Sequence, residues 1–271
     1  TNSLLVGTSS TGTLNAADGN TGVGTGVLGA LTTGDNNVAV GFNSLDLNTT
    51  GSSNTSIGKD SLKSNTTGAG NTSVGMGTLY SNTTASYNTA IGSLALDTNT
   101  TGASNTAVGY DALTANSSGS NNTAVGGNAL DANTTGLNNT TVGYDSLTSN
   151  TTGASNVAMG NQAMFDNTTG NNNVGVGCDA LANNTTASNN TAVGCGALHK
   201  NTTGSTNTAA GQRASACNTT GDSHSAFGFE ALKTNTTGGN NTAVGYRSLY
   251  TNSTGSDNTA LGWSSLCVNT T

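Results

Sequence analysis

The chain has 271 residues, 39 of them Gly and none Pro, and only 7% are charged, with a formal net charge of −7. Six Lys and Arg residues scattered singly cannot neutralise a phosphate backbone or an anionic membrane surface, so nucleic acid is excluded as a partner and membrane attraction is disfavoured. No apolar run approaches the roughly 20 residues of a membrane-spanning helix, so this segment is expected not to insert into a membrane. Leu, Ile, Val and Phe together make up about 15% of the chain, under the level of roughly 20% at which disorder is suspected. Something other than a large apolar core must therefore order the protein.

That something is a repeat. A marker Gly recurs at 7, 24, 41 and every 17th position thereafter up to 262, without insertion or deletion. The chain is thus a single array, residues 1–271, of sixteen 17-residue units. Its first two units, residues 1–34, read as a degenerate cap, because Leu4, Leu5 and Leu14 break their columns. Neither end carries a polar cap of its own, which points to part of a longer array or to units that join end to end.

In chain order, nearly every unit begins with an Asn four before the marker, such as Asn105, Asn122 or Asn190. A β-branched residue, a small residue and an aliphatic residue follow, as in Thr106, Ala107 and Val108. This alternation predicts a short strand with one face inward, and the exchange of Thr for Val at 38, 157 and 174 places the β-branched column in a half-buried site. Four residues past the marker, a Leu or Met column preceded by a small residue (Leu113 after Ala112, Leu232 after Ala231) predicts a second short strand, because the stretch is too short for a helix. Two strands and two turns per 17 residues describe a coil of an all-β parallel β-solenoid or β-roll, each strand pairing with its equivalent one coil away, about 4.8 Å distant. Sixteen coils would make a rod on the order of 75 Å long. The small columns beside Val and Leu suit either close approach by neighbouring chains, with a parallel homotrimer first, or simply tight turns.

The Asn-Thr-Ala-Val-Gly block, as at 105–109 and 122–126, resembles the Ser/Asn-x-Ala-Ile-Gly repeat in head domains of trimeric autotransporter adhesins. It is also similar to repeats in the shafts of tail fibres and surface proteins that carry a C-terminal self-cleaving chaperone domain. The adhesin resemblance implies a left-handed parallel β-roll, a trimer and a role on a bacterial surface. The 17-residue unit is longer than the adhesin repeat and adds an Asn-Thr-Thr-Gly loop.

Three columns could carry recognition or modification. Asn stands seven after the marker at Asn48, Asn65, Asn82, Asn99, Asn116, Asn133, Asn150, Asn167, Asn184, Asn201, Asn218, Asn235, Asn252 and Asn269. Each is followed by Thr-Thr, Ser-Ser or Ser-Thr, so each is either an N-glycosylation acceptor or a rung of a turn-capping Asn ladder. Phe42, Tyr110, Tyr144, Phe229, Tyr246 and Trp263 follow the marker directly and form a broken aromatic stripe that either stacks on sugars or a partner, or covers an edge of the thin core. Cys178 and Cys195 share that column one period apart, which puts their Cα atoms near 4.8 Å and within disulfide range. Cys217 and Cys267 lie in different columns three coils apart and cannot pair within one straight rod.

Neither a metal site nor a catalytic site is readable, and no cofactor is implied. His199 and His224 stand in different columns, and Asp60, Asp111, Asp145 and Asp179 are separated by coils without acid. No Ser-His-Asp set can be assembled, and the Gly-x-Gly string at 22–26 precedes no helix. The sequence therefore points away from an enzyme and toward a structural protein: an extracellular or cell- or virion-surface fibre or appendage shaft, glycan-coated if the Asn acceptors are used. An adhesin head that binds matrix or carbohydrate is the alternative. An ice-binding protein is third, disfavoured by the inward reading of the Thr column.

Overall fold

The computed structural model describes residues 3–7 and 17–270. The chain divides into two compact units, Thr1–Leu137 and Asn138–Thr271, each a parallel β-solenoid. The first holds eight three-residue strands in chain order: β1 (Leu4–Val6), β2 (Thr21–Val23), β3 (Val38–Val40), β4 (Thr55–Ile57), β5 (Thr72–Val74), β6 (Thr89–Ile91), β7 (Thr106–Val108) and β8 (Thr123–Val125). The second holds β9 (Thr140–Val142), β10 (Val157–Met159), β11 (Val174–Val176), β12 (Thr191–Val193), β13 (Thr208–Ala210), β14 (Ser225–Phe227), β15 (Thr242–Val244) and β16 (Thr259–Leu261). Within each unit every strand pairs in parallel with its sequence neighbour at an offset of 17 residues, as in Thr106↔Thr123 and Val108↔Val125. No helix among the described residues is long and apolar enough to cross a membrane.

One strand per coil forms, not two. The segment carrying the Leu column is a pair of tight turns, because two of its residues have positive φ: in one coil Asp60 at 54° and Leu62 at 49°. Such angles lie in the left-handed region and bend the chain twice within five residues. An L-residue there costs roughly 1–2 kcal/mol, and a β-branched one more, which accounts for Leu, Met or Ser, and no Val, Ile or Thr, at that position among the described residues. The turn amides still bond across coils; Leu62 N–H, for example, donates to Thr78 O at 2.9 Å. The marker Gly has no substitute: Gly58 has φ 141°, and a Cβ would strike the carbonyl oxygen of Gly75 one coil on.

The inward strand residue is the small one. Ala107 is wholly buried, whereas its neighbours Thr106 and Val108 are only half-buried, and Ile57 and Ile91 remain 41% exposed. The Thr and aliphatic columns thus face outward, opposite to their expected side. The two small columns lie inside the coil, buried together with Leu, as Ala107, Ala112 and Leu113 show. They therefore give no support to close packing by a second chain. Volume is exchanged across them: Gly22 leaves room for the larger Leu5 and Val27, and Gly175 for Met164. Polarity is exchanged too. Ser44 donates to Ser56 Oγ at 2.8 Å, Ser56 to Ser61 Oγ at 3.0 Å, and Ser61 meets Ser73 at 2.7 Å, so hydroxyls brought into the core find one another. Of the residues that mark the degenerate start, Leu4 is exposed and Leu5 half-buried; Leu14 lies outside the described residues.

Candidate functional site

The most regular feature of the coils is a pair of buried Asn side chains, present in most of them. In the column seven past the marker, Asn48 through Asn252 are fully buried, and Asn269 is half-buried. Their amides stack along each unit: Asn65 Nδ2 donates to Asn48 Oδ1 at 2.9 Å, Asn116 to Asn99 at 2.8 Å, and Asn184 to Asn167 at 2.8 Å. The second Nδ2 proton goes to the carbonyl three residues on in the same coil, as from Asn116 to Gly119 O at 2.9 Å. A glycan on Nδ2 would remove one of these bonds and needs space that the buried ladder does not leave. The folded coils therefore offer no room for glycosylation at Asn48 through Asn252.

The Asn column four before the marker forms a second ladder. Asn105 Oδ1 accepts the backbone N–H of Asn122 at 2.9 Å, and Asn105 Nδ2 donates to Gly119 O at 2.9 Å. Both ladders thus converge on a single carbonyl per coil, which uses both of its lone pairs. The loop Thr after the first ladder adds a third line: Thr66 Oγ1 donates to Thr83 O at 3.0 Å, and Thr202 to Thr219 O at 3.0 Å. Order in this nearly charge-free chain comes in large part from polar groups satisfied one coil away.

His224 replaces Asn inside the second ladder, as Ser3 does at its start, where Ser3 Oγ accepts the N–H of Asn20 at 3.2 Å. His224 is buried; its Nδ1 receives the N–H of Asn241 at 3.4 Å, and its Nε2 lies 2.9 Å from Asn235 Nδ2. Drawn to His224, Asn235 leaves its own Oδ1 without a partner, a fault in the first ladder. Burial depresses the imidazole pKa to about 4, despite the opposing influence of nearby Asp222.

The aromatic column does not form one stripe. Phe229, Tyr246 and Trp263 stack on successive coils with centroids 5.3 and 5.8 Å apart and rings within 11° of parallel. Phe42, Tyr110 and Tyr144 stand apart, each more than half exposed, so they do not cover the core. Beside the stack lies an ion cluster that the columns displayed but sequence reasoning missed: Arg213, Glu230 and Arg247 occupy one column on three successive coils. The buried Glu230 accepts from Lys233 Nζ at 2.6 Å and Arg247 Nε at 2.8 Å, with Arg213 at 3.9 Å. Burial pushes its carboxyl pKa up, but the bonds from Lys233 and Arg247 outweigh this and hold it below the ordinary value. Arg247 also lies over the rings of Tyr246 and Tyr250, at 5.6 and 4.8 Å.

Cys178 and Cys195 are free thiols, exposed and on adjacent coils; Cys217 and Cys267 are free and half-buried. Burial of its sulfur, together with Asp179 and Cys195 nearby, raises the Cys178 pKa. Among the described residues no three His, Cys, Asp or Glu side chains gather as metal ligands would. No protein-family model matches the chain, and no curated protein matches it.

Proposed function

We propose that the protein is a structural segment of an extracellular fibre or surface appendage, with no catalytic role. The observation that carries this reading is the coil-to-coil closure of polar groups: backbone amides, two Asn ladders and a Thr line all bond at an offset of about one coil. Such a unit can be repeated without new chemistry, and pulling coils apart must break many hydrogen bonds at once. The biochemical role is mechanical, as shaft or spacer, and the coil-to-coil closure suits association of such units end to end. Electron microscopy of the purified full chain tests it. Extended particles of uniform width, alone or bundled, are the expected result; compact particles, or polysaccharide hydrolysis by the pure protein, would overturn it.

One observation favours the adhesin alternative for the second unit: the Phe229–Tyr246–Trp263 stack, edged by Arg247, joins aromatic surface to a cation. Acidic carbohydrate is the ligand class that suits it. A glycan array comparing the intact chain with Tyr246→Ala and Trp263→Ala tests this; binding that is absent, or unchanged in both variants, removes the reading.

A further inference from the structure

The outward side of the strands is half-buried at most, and it leaves side chains open to a partner outside the coil. Across all sixteen strands, both outward columns are free of charge. From β4 to β8 every strand carries Thr at its first position and Val or Ile at its last, so a rank of hydroxyls runs beside a rank of aliphatic side chains. The hydroxyls of these five Thr residues have no protein partner, in contrast to the loop Thr line, whose hydroxyls are consumed by carbonyls. The register repeats the hydroxyls about every 4.8 Å along the stack and sets the aliphatic rank about 6.7 Å to the side. Thr, Val and Ile are stiff at χ1, so the positions are fixed before anything binds.

The occupant must tolerate zero charge, offer donors and acceptors at a fixed repeat and accept methyl groups between them. Crystalline water does all three: its surface repeats donors and acceptors at a fixed spacing of a few ångströms, hydroxyls can take the place of lattice waters, and methyl groups order the water around them. A second copy fits less well. The five strands β4–β8, three residues each, present a footprint of only about 240 Å², under a third of the roughly 800 Å² per partner that a stable interface buries. We propose that the outward face of β4–β8 binds ice. This stands apart from the fibre reading.

The test uses the full chain in an ice-affinity partition and a thermal-hysteresis measurement. The wild type is expected to enter the growing ice and to hold freezing below melting. Thr89→Lys/Thr106→Lys should lower both at least fivefold, as should the milder Thr89→Ala/Thr106→Ala if the charged pair fails to fold. Thr84→Lys/Thr101→Lys, on an exposed loop rank, should leave both unchanged. Exclusion of the wild type from ice, an equal loss in the loop variant, or a dimer in sedimentation that the face variants dissociate would each overturn the proposal.

Discussion

Replacing Asn116 by Ala probes the ladder directly. Asn116 Nδ2 donates to Asn99 Oδ1 and Gly119 O, and its Oδ1 accepts from Asn133 Nδ2 at 2.9 Å. Gly119 O keeps its bond from Asn105. Two buried groups lose a partner, Asn99 Oδ1 and one proton of Asn133 Nδ2. At about 1–3 kcal/mol for each buried group left unsatisfied, the local cost is about 2–6 kcal/mol. That rivals the roughly 2–5 kcal/mol expected for Leu113→Ala, which removes a fully buried Leu. Repeat arrays open locally rather than all at once, so native-state hydrogen exchange of the neighbouring amides is the proper assay. Protection of Leu113 and Asn133 should fall at least ~30-fold in Asn116→Ala. A fall under threefold, with Leu113→Ala strongly affected, would mean that the ladder contributes little and that the thin apolar core alone orders the coil.

The pH dependence should be local and traceable to His224. Its folded pKa of about 4 lies below the ordinary imidazole value of 6.5, so the unfolded chain binds the extra proton first. Stability is complete above about pH 6.5 and falls as pH drops toward 4, by up to about 3 kcal/mol for coils opening around it; His224→Asn should abolish that window in exchange measured across pH 4–7. Cys178 and Cys195 should form an intrachain disulfide on treatment with oxidised glutathione, which is reduced to two glutathione thiols, with a mass loss of two hydrogens and two fewer thiols open to later blocking; the thiolate is the attacking form, so the raised Cys178 thiol pKa moves the rise in rate to higher pH; failure to cross-link would contradict their alignment on adjacent coils. Ser56→Ala removes the hydroxyl that donates to Ser61 O and Oγ, while Ser44 Oγ keeps its bond to the carbonyl of residue 56 and Ser61 Oγ its bonds to Ser73, so its coil should lose about 0.5–1.5 kcal/mol. Replacing Ser44, Ser56, Ser61, Ser73 and Thr78 together by Ala should recover most of that loss, read by the same exchange experiment.

The coil and its 17-residue register were legible because nothing interrupts the marker Gly series, and parallel pairing of equivalent strands follows from it. The direction of the strand side chains was not. Thr-Ala-Val alternates identically whether the flanks or the centre point inward, and only the closeness of the opposing Ala column decides it. The second strand failed for a related reason: a Leu column signals burial, yet nothing in Leu62 itself announces a left-handed φ. The Asn ladder was foreseen as one of two choices, and burial of Asn48 through Asn252 distinguishes them. The Glu230 cluster was visible in principle, since Arg213, Glu230 and Arg247 alternate in sign down one column.

Thiol labelling at three consecutive positions tests most directly which side of the strand faces inward. In a chain with Cys178, Cys195, Cys217 and Cys267 changed to Ser, single variants Thr106→Cys, Ala107→Cys and Val108→Cys are exposed to a water-soluble maleimide under native conditions. Rapid modification at 106 and 108 with protection at 107 is the predicted result. Protection at 106 and 108 with rapid modification at 107 would contradict the orientation and, with it, the outward face.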